Sequence, residues 1–470
     1  MASSPGETVP QANGHLYLSE PGTALVEKEP DHTSKLKTFL NILRKFIGVS
    51  DLASIRFSLP AHLLEPTPNL EYWGYLERPE TFISIPDSDD PVGRMLGTLR
   101  FWFTKDLKYV KAKPVKPYNS TLGEFFRCNW EIEDTLPEPR HANSPPQSSA
   151  ASTTSQKSKP DNNVKVSYLT EQTSHHPPVS AFWIDCPEKG IIARGYDQLS
   201  AKFTGTSIRV SAGNHNHGIF ITLKTRDNEE YQLTHPAAHV GGLLRGLLPY
   251  EIEKAIKESA LIRSSGSLTV TVCDSCYVTC AKTRLKVILQ YLEDGWLSRS
   301  QNRVEGVIFN YDPENDDKTK IKDVSDNDVV GRIEGAWTDK IYYTLGPQPF
   351  KDVQEKILLL DINPLTPVPK IIPPLEVQLP NESRRFWKRV TEAIISKQYS
   401  LATTLKQEIE EKQRKKAAER QALGKEWQPR FFTGAVTPVG KPELTSDGEQ
   451  AVEGLHKGDF VLPENKDYGA

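Results

Sequence analysis

From residue 164 to about 345 one pattern recurs: short runs of alternating apolar and polar residues, broken by turn residues. Val164 to Leu169, Leu268 to Val272 and Ile341 to Thr344 alternate with the two-residue period of a strand. Asp227-Asn228 and Asp312-Pro313 supply turns between such runs. A long stretch of short strands with little helix predicts an antiparallel barrel or sandwich. No internal repeat recurs at a fixed period.

The flanks read differently. Residues 1–31 are rich in Pro, Gly, Ser and Glu and predict a disordered tail. Between Thr33 and Val49, Leu36, Phe39, Leu40, Leu43 and Ile47 recur at helical spacing. Lys35, Lys37, Arg44 and Lys45 take other positions, and Gly48 is a stop signal. Such a helix packs on a core, or leaves it to lie on a bilayer. Pro60, Pro66 and Pro68 then favour extended backbone. Residues 92–110 read as a further helix, and 116–126 as a loop leading into a strand.

Residues 141–160 contain no large apolar side chain. They predict a flexible insertion, taken as 139–163, inside a domain rather than a boundary between two. The Pro-rich residues 363–380 read as a strap across the surface. A helical region follows from Glu382 to Gln421, broken near 398–400, and the last residues, 436–470, read as a polar, poorly ordered tail.

Composition narrows the function. A chain of 470 residues has room for two or three domains, or for one large barrel. Its net charge of −3 argues against a generic nucleic-acid binder, so any anion site is local. No apolar run reaches the roughly 18 residues of a membrane-spanning helix. MASSPGETVPQANGH has neither a basic start nor an apolar stretch, so no secretory signal is expected. With five cysteines, the expectation is a cytoplasmic protein with reduced thiols.

Glu171-Gln172-Thr173-Ser174-His175-His176-Pro177-Pro178 stands out. Zinc needs more ligands than this pair, and no HExxH or paired Cys/His set accompanies it. Ser174 beside His175 invites a nucleophile, but neighbouring residues rarely reach triad geometry and no nucleophile elbow is present. Anion binding is the third chemistry, since two imidazoles on a rigid Pro-Pro can donate to phosphate oxygens. Cys273, Cys276 and Cys280 lie in a strand-like run with no obvious fourth ligand, so no metal or other cofactor is expected.

The stretch 171–178 resembles the EQTSHHPP signature of the oxysterol-binding protein family. Lys116-Pro117-Tyr118-Asn119-Ser120-Thr121-Leu122-Gly123-Glu124 resembles a second family motif, KPxNPxLGE, with Ser120 where Pro is usual. Leu405 to Arg414 resembles the closing helix, Leu59 to Pro66 an LEP-type stretch, and Trp427 to Phe432 a terminal element packed on the barrel. The resemblance covers roughly residues 33–435. On spacing alone Lys406, Glu410 and Arg414 form one helical stripe of the kind common on a solvated face.

The resemblance implies a fold that is mainly β with α: a large antiparallel β-barrel enclosing a lipid tunnel, with an N-terminal helical lid and C-terminal helices. Residues 32–66 would be the lid and 67–435 the barrel domain. It implies binding and release rather than catalysis, with phosphatidylinositol 4-phosphate exchanged for a second lipid between membranes. Lys116, Asn119, His175, His176, Lys406, Glu410 and Arg414 would hold the head group, and several convergent cations and donors suit a multiply charged phosphoinositide. Leu52 and Ile55 would cover the bound lipid, with the Leu36–Ile47 stripe facing the membrane. The second lipid is read as sterol, with phosphatidylserine, or a non-transferring lipid sensor, as alternatives. The short fungal sterol carriers share the amphipathic lid, and the phosphatidylserine carriers share the KPYN and LGEFFRC stretch. Such a protein would be cytoplasmic and peripherally bound to endoplasmic reticulum, Golgi or plasma membrane.

Overall fold

The computed structural model describes residues 32–52, 59–111, 116–141, 163–205, 207–241, 269–293 and 301–464. Within α1 (His32–Arg44) the side chains of residues 32–34, 36, 37 and 40 lie outside the description. Ile55, and the side chains of Leu36 and Leu40, are therefore not placed.

Among the described residues one antiparallel sheet of 15 strands carries the fold. Its main path runs β1 (Phe125–Glu133), β2 (Asn163–His175), β3 (Pro178–Cys186), β4 (Ile191–Asp197), β7 (Ile219–Leu223) and β8 (Glu229–Leu233). It continues through β10 (Thr269–Cys280), β11 (Leu285–Tyr291), β12 (Arg303–Asn310), β13 (Val329–Ala336), β14 (Lys340–Leu345) and β15 (Ile357–Asp361). A branch of β5 (Leu199–Phe203), β6 (Ile208–Ala212) and β9 (Ala237–Gly241) joins it at β10. The branch exists because β10 turns a corner at Asp274, whose φ is 68°. Before that residue β10 pairs with β9, and from it onward with β11.

The sheet is a barrel because its two edges share one core. Phe126, Cys128 and Trp130 of β1 and Leu359 of β15 belong to the same buried cluster. That cluster takes in Leu70 of α2 (Asn69–Tyr72) and Phe82 of α3 (Pro79–Ile83), and it surrounds α4 (Pro91–Thr104), whose Met95, Leu96, Leu99 and Phe101 are buried around most of its circumference. Asp90 caps α4 by accepting from Val92 N at 2.7 Å, and Pro91 starts the helix without needing a donor. The single helix expected over 92–110 is divided. α4 ends at Thr104, whose hydroxyl bonds back to the Arg100 and Phe101 carbonyls, and α5 (Leu107–Lys111) begins afresh.

The seam between β1 and β15 is covered by the Pro-rich strap and by α4. Ile371 exchanges backbone bonds with Asn129 of β1 at 2.7 and 2.9 Å, and Arg100 Nε donates to Leu359 O of β15 at 3.1 Å. α6 (Ser383–Ile395) and α7 (Tyr399–Ala422) follow, separated where the sequence placed the break.

The C-terminal residues depart from the expected polar tail. Ser446–Lys457 form α8, capped by Thr445. Ala451 and Val452 are buried against Phe125, Leu169, Val179 and Trp183 on the outer face of the sheet, together with Phe431 and Phe432. This second layer explains why β2 is buried on both faces rather than alternating.

Candidate functional site

The two sequence motifs are joined by backbone. Gln172 N donates to Glu124 O at 2.8 Å, and Gly123 N donates to Gln172 O at 3.0 Å. Gly123 has φ 78°, a conformation that suits glycine. The loop 116–124 therefore sits beside the β2–β3 hairpin.

At the hairpin tip His175 and His176 are exposed, their ring centroids 4.6 Å apart, and the His176–Pro177 peptide is cis. Ser174 Oγ donates to Pro177 O at 2.8 Å, a turn-forming role rather than a contact with an imidazole. Thr173 Oγ1 donates to Ala435 O at 2.6 Å and ties the hairpin to the C-terminal segment.

Lys116 and Asn119 stand on the exposed edge of their loop, Lys116 Nζ donating to Asn119 Oδ1 at 2.6 Å and to Pro117 O at 3.0 Å. The Lys116 chain is open to solvent on one side, but its ammonium is crowded by protein on the other. That desolvation, and next the nearby Lys406 ammonium, lower its pKa to about 8. The loop cation and the α7 cation are thus neighbours. Lys406 is buried and bonds Glu410 Oε1 at 2.6 Å, as the i, i+4 spacing allows. Arg414 differs: its guanidinium pairs with Glu411, with both groups exposed, although Glu410 and Arg414 line one shallow groove along α7.

In the segment expected to be a lid, Leu43 and Leu52 are buried together against Phe203 of β5, and Phe39 is half-buried between this cluster and the C-terminal helices. Asp51 accepts from Ala201 N at 2.8 Å. Leu43 therefore faces protein, whereas Ile47 is 64% exposed. The apolar stripe is docked on the barrel in this state, and only its end reaches solvent among the described side chains.

Sequence reasoning missed the buried half of each motif. Glu171 is fully buried, and its oxygens accept from Arg430 N and Phe431 N, each at 2.9 Å. Burial pushes its pKa up to about 8 against these donors. Glu124 accepts from Trp387 Nε1 at 3.0 Å, Ser383 Oγ at 2.8 Å and Thr121 N at 3.0 Å, and burial raises it to about 7. A polar cluster inside the barrel was also missed. Tyr75 donates to Asp197, whose pKa burial raises to about 7, and Lys105 lies 4.3 Å from the Trp102 ring centre. His235 stacks on Tyr75, and burial, then the Lys105 charge, lower its pKa to about 3. These residues are scattered along the chain, so no local signal marks them.

The three cysteines do not converge. Cys276 and Cys280 lie four residues apart on β10, about 13 Å along a strand. Among the described residues His239, Cys273 and Glu293 bring potential ligand atoms within 4.8 Å of one another. Arg209 Nη1 lies 3.5 Å from His239 Nε2 and 4.0 Å from Cys273 Sγ, a positive charge that opposes a cation there.

Residues 38–401 match the oxysterol-binding protein family. The chain belongs to the oxysterol-binding protein family. Oxysterol-binding protein-like protein 1 of Schizosaccharomyces pombe is 37% identical, over 96% of this chain and 98% of that protein. Human oxysterol-binding protein-related protein 10 is 26% identical, over 92% of this chain and 51% of that protein. Among solved structures, the Osh1 ORD domain in complex with cholesterol superposes with a TM-score of 0.61, at 19% identity, over 91% of this chain and 90% of that one. The Osh3 ORD of Saccharomyces cerevisiae in complex with PI(4)P gives 0.56, at 17% identity, over 93% and 96%. These two show the fold. The oxysterol-binding protein family consists of lipid-binding and transfer proteins. Lys406, Glu410 and Arg414 lie beyond the matched residues.

Proposed function

We propose that this chain is a lipid-transfer protein that holds one lipid in its barrel and exchanges phosphatidylinositol 4-phosphate for a second lipid, sterol, between membranes. The observation that carries this is the coupling of the two motifs. The Gln172–Glu124 bonds set His175 and His176 beside the loop of Lys116 and Asn119, and Lys406 acts on Lys116 from α7. Donors and cations from three elements that are distant in sequence suit a phosphorylated inositol, with Glu410 accepting from its hydroxyls. Arg414 joins them by turning from Glu411 when the lipid arrives. The relatives support both ligands: Osh1 was solved with cholesterol and with ergosterol, Osh3 with PI(4)P.

Membrane contact is transient and peripheral; among the described residues no helix is long and apolar enough to cross a membrane. The lid opens when α1 leaves the barrel and its apolar face enters loosely packed lipid. The reading is tested by exchange between two liposome populations, with mass spectrometry of the lipids extracted by the purified protein. Acceleration of both phosphoinositide and sterol movement is expected. Binding without movement would make the protein a sensor, and recovery of phosphatidylserine in place of sterol would change the second ligand.

A further inference from the structure

α6 has two unlike faces. Trp387, Val390 and Ile394 are buried at i, i+3 and i+7. Arg385, Lys388, Arg389, Glu392, Ile395 and Ser396 recur on the other side and are exposed. With Arg384 and Lys397, α6 and the turn after it carry five cations and one carboxylate of their own, Glu392, among the described residues. Glu71 holds Arg384 at 2.9 and 2.6 Å, and Lys388 lies 3.9 Å from Glu392.

Two aliphatic side chains project from this basic surface. Ile395 ends α6 and is 67% exposed; Leu401, in the first turn of α7, is 44% exposed. They flank a turn in which Lys397 adopts a φ of 57°. Neither belongs to the apolar cluster that packs α6 on α7. Apolar residues protruding from a cationic rim are the pattern of a segment that sits in a bilayer interface. The turn also adjoins the candidate site, because Leu401 precedes Lys406 on α7 by about 7.5 Å of helix rise.

We propose that the α6–α7 turn is a membrane-docking surface. Ile395 and Leu401 enter the interface of an anionic bilayer, and Lys388 and Arg389 bind its head groups. The choice of a bilayer as occupant rests on the lipid-transfer reading and on this charge complementarity. The surface is separate from the α1 stripe and is exposed while that lid is docked, so it provides first contact before the lid opens.

The test is co-sedimentation of the full-length protein with phosphatidylcholine vesicles, with and without phosphatidylserine. Wild type should bind the anionic vesicles. Lys388→Ala with Arg389→Ala should weaken that binding by about an order of magnitude or more and affect neutral vesicles little. Ile395→Asp with Leu401→Asp should weaken binding to both by at least about tenfold. Val461→Asp, at an apolar residue 68% exposed elsewhere, should bind as wild type. Melting curves check folding, and a water-soluble short-chain phosphoinositide measures head-group binding without a membrane. That binding should persist in every variant. Failure of wild type to sediment, unchanged sedimentation of both double variants, or equal loss in Val461→Asp would overturn the docking surface. Failure of wild type to bind the soluble phosphoinositide would overturn the head-group reading instead.

Discussion

Glu171 and His175 stand four residues apart in one motif and do opposite physical work. Glu171 is sealed under the C-terminal segment, where it satisfies two backbone donors. His175 and His176 stand in solvent at the hairpin tip. The second motif divides the same way, with Glu124 buried against Trp387 and Ser383, and Lys116 and Asn119 at its open edge. A signature of this kind is therefore not a roll of ligand contacts. Its buried half fixes α6 and residues 430–431 to the barrel, and its exposed half faces solvent, where the proposed function puts the head group. The two halves should fail differently when mutated.

The largest effect is expected at the exposed half. His175→Ala with His176→Ala should abolish extraction of phosphatidylinositol 4-phosphate and leave the melting temperature unchanged. Each charge-assisted bond lost is worth about 1.5–3 kcal/mol, an order of magnitude or more in affinity. Sterol extraction should largely survive. A folded double variant that still extracts the phosphoinositide would remove the histidines from the site. The buried half should show the converse. Glu171→Ala leaves two enclosed N–H groups without acceptors, at about 1–3 kcal/mol each, so thermal stability should fall markedly. The fraction that stays folded should still bind the soluble head group. Unchanged stability would mean that Glu171 does not anchor the C-terminal segment.

A smaller effect sharpens the contrast through pH. The Glu171 carboxyl has an ordinary value of 4.5 and is pushed up to about 8 by burial. Between those values the folded state holds a proton that the unfolded state has released, so stability falls as pH rises through the window. Glu124 and Asp197, both raised to about 7, act in the same direction. His235, lowered to about 3, acts oppositely, removing stability as pH falls below its ordinary 6.5. Glu171→Gln should therefore be less stable than wild type at pH 5 and should lose less on going to pH 8. Denaturant unfolding at several pH values measures this, and parallel curves would show that Glu171 does not titrate there.

How much was legible follows from which signals are local. Parts of β2, β10 and β14 announced themselves through two-residue alternation, and the break between α6 and α7 was expected near 398–400. The barrel's closure was not legible, because it depends on Ile371 meeting Asn129 and on Arg100 reaching Leu359 across long separations. α8 was hidden because Ala451, Val452 and Leu455 are few among polar residues, and Ala451 and Val452 find their apolar partners only in the fold, on the sheet's outer face and at Phe431 and Phe432. The interior cluster of Tyr75, Lys105, Asp197 and His235 left no trace in sequence spacing. The motifs were legible and the backbone joins them, but the electrostatics around Lys116 emerge only from the fold, which sets Lys406 near it.

The smallest expected effects divide the α7 stripe itself. Spacing made Lys406, Glu410 and Arg414 equivalent, and the structure does not. Arg414 pairs in solvent with Glu411, and an exposed pair contributes only about 0–1 kcal/mol. Arg414→Ala should shift the melting temperature by little and weaken phosphoinositide binding modestly. Lys406 is enclosed and bonded to Glu410, so Lys406→Ala removes packing as well as charge and should lower stability more. A structural role alone predicts no more than this. The site reading adds a consequence at a residue far away in sequence. Lys406 is the second cause, after burial, of the lowered Lys116 pKa, so removing it should let Lys116 climb from about 8 towards its ordinary 10.5 without reaching it. Competitive amine labelling of Lys116 across pH, read by mass spectrometry, measures that shift. Arg414→Ala should leave the Lys116 titration in place. If Lys406→Ala also leaves it in place, the two cations do not share a field, and α7 supplies no charge to the loop of Lys116 and Asn119.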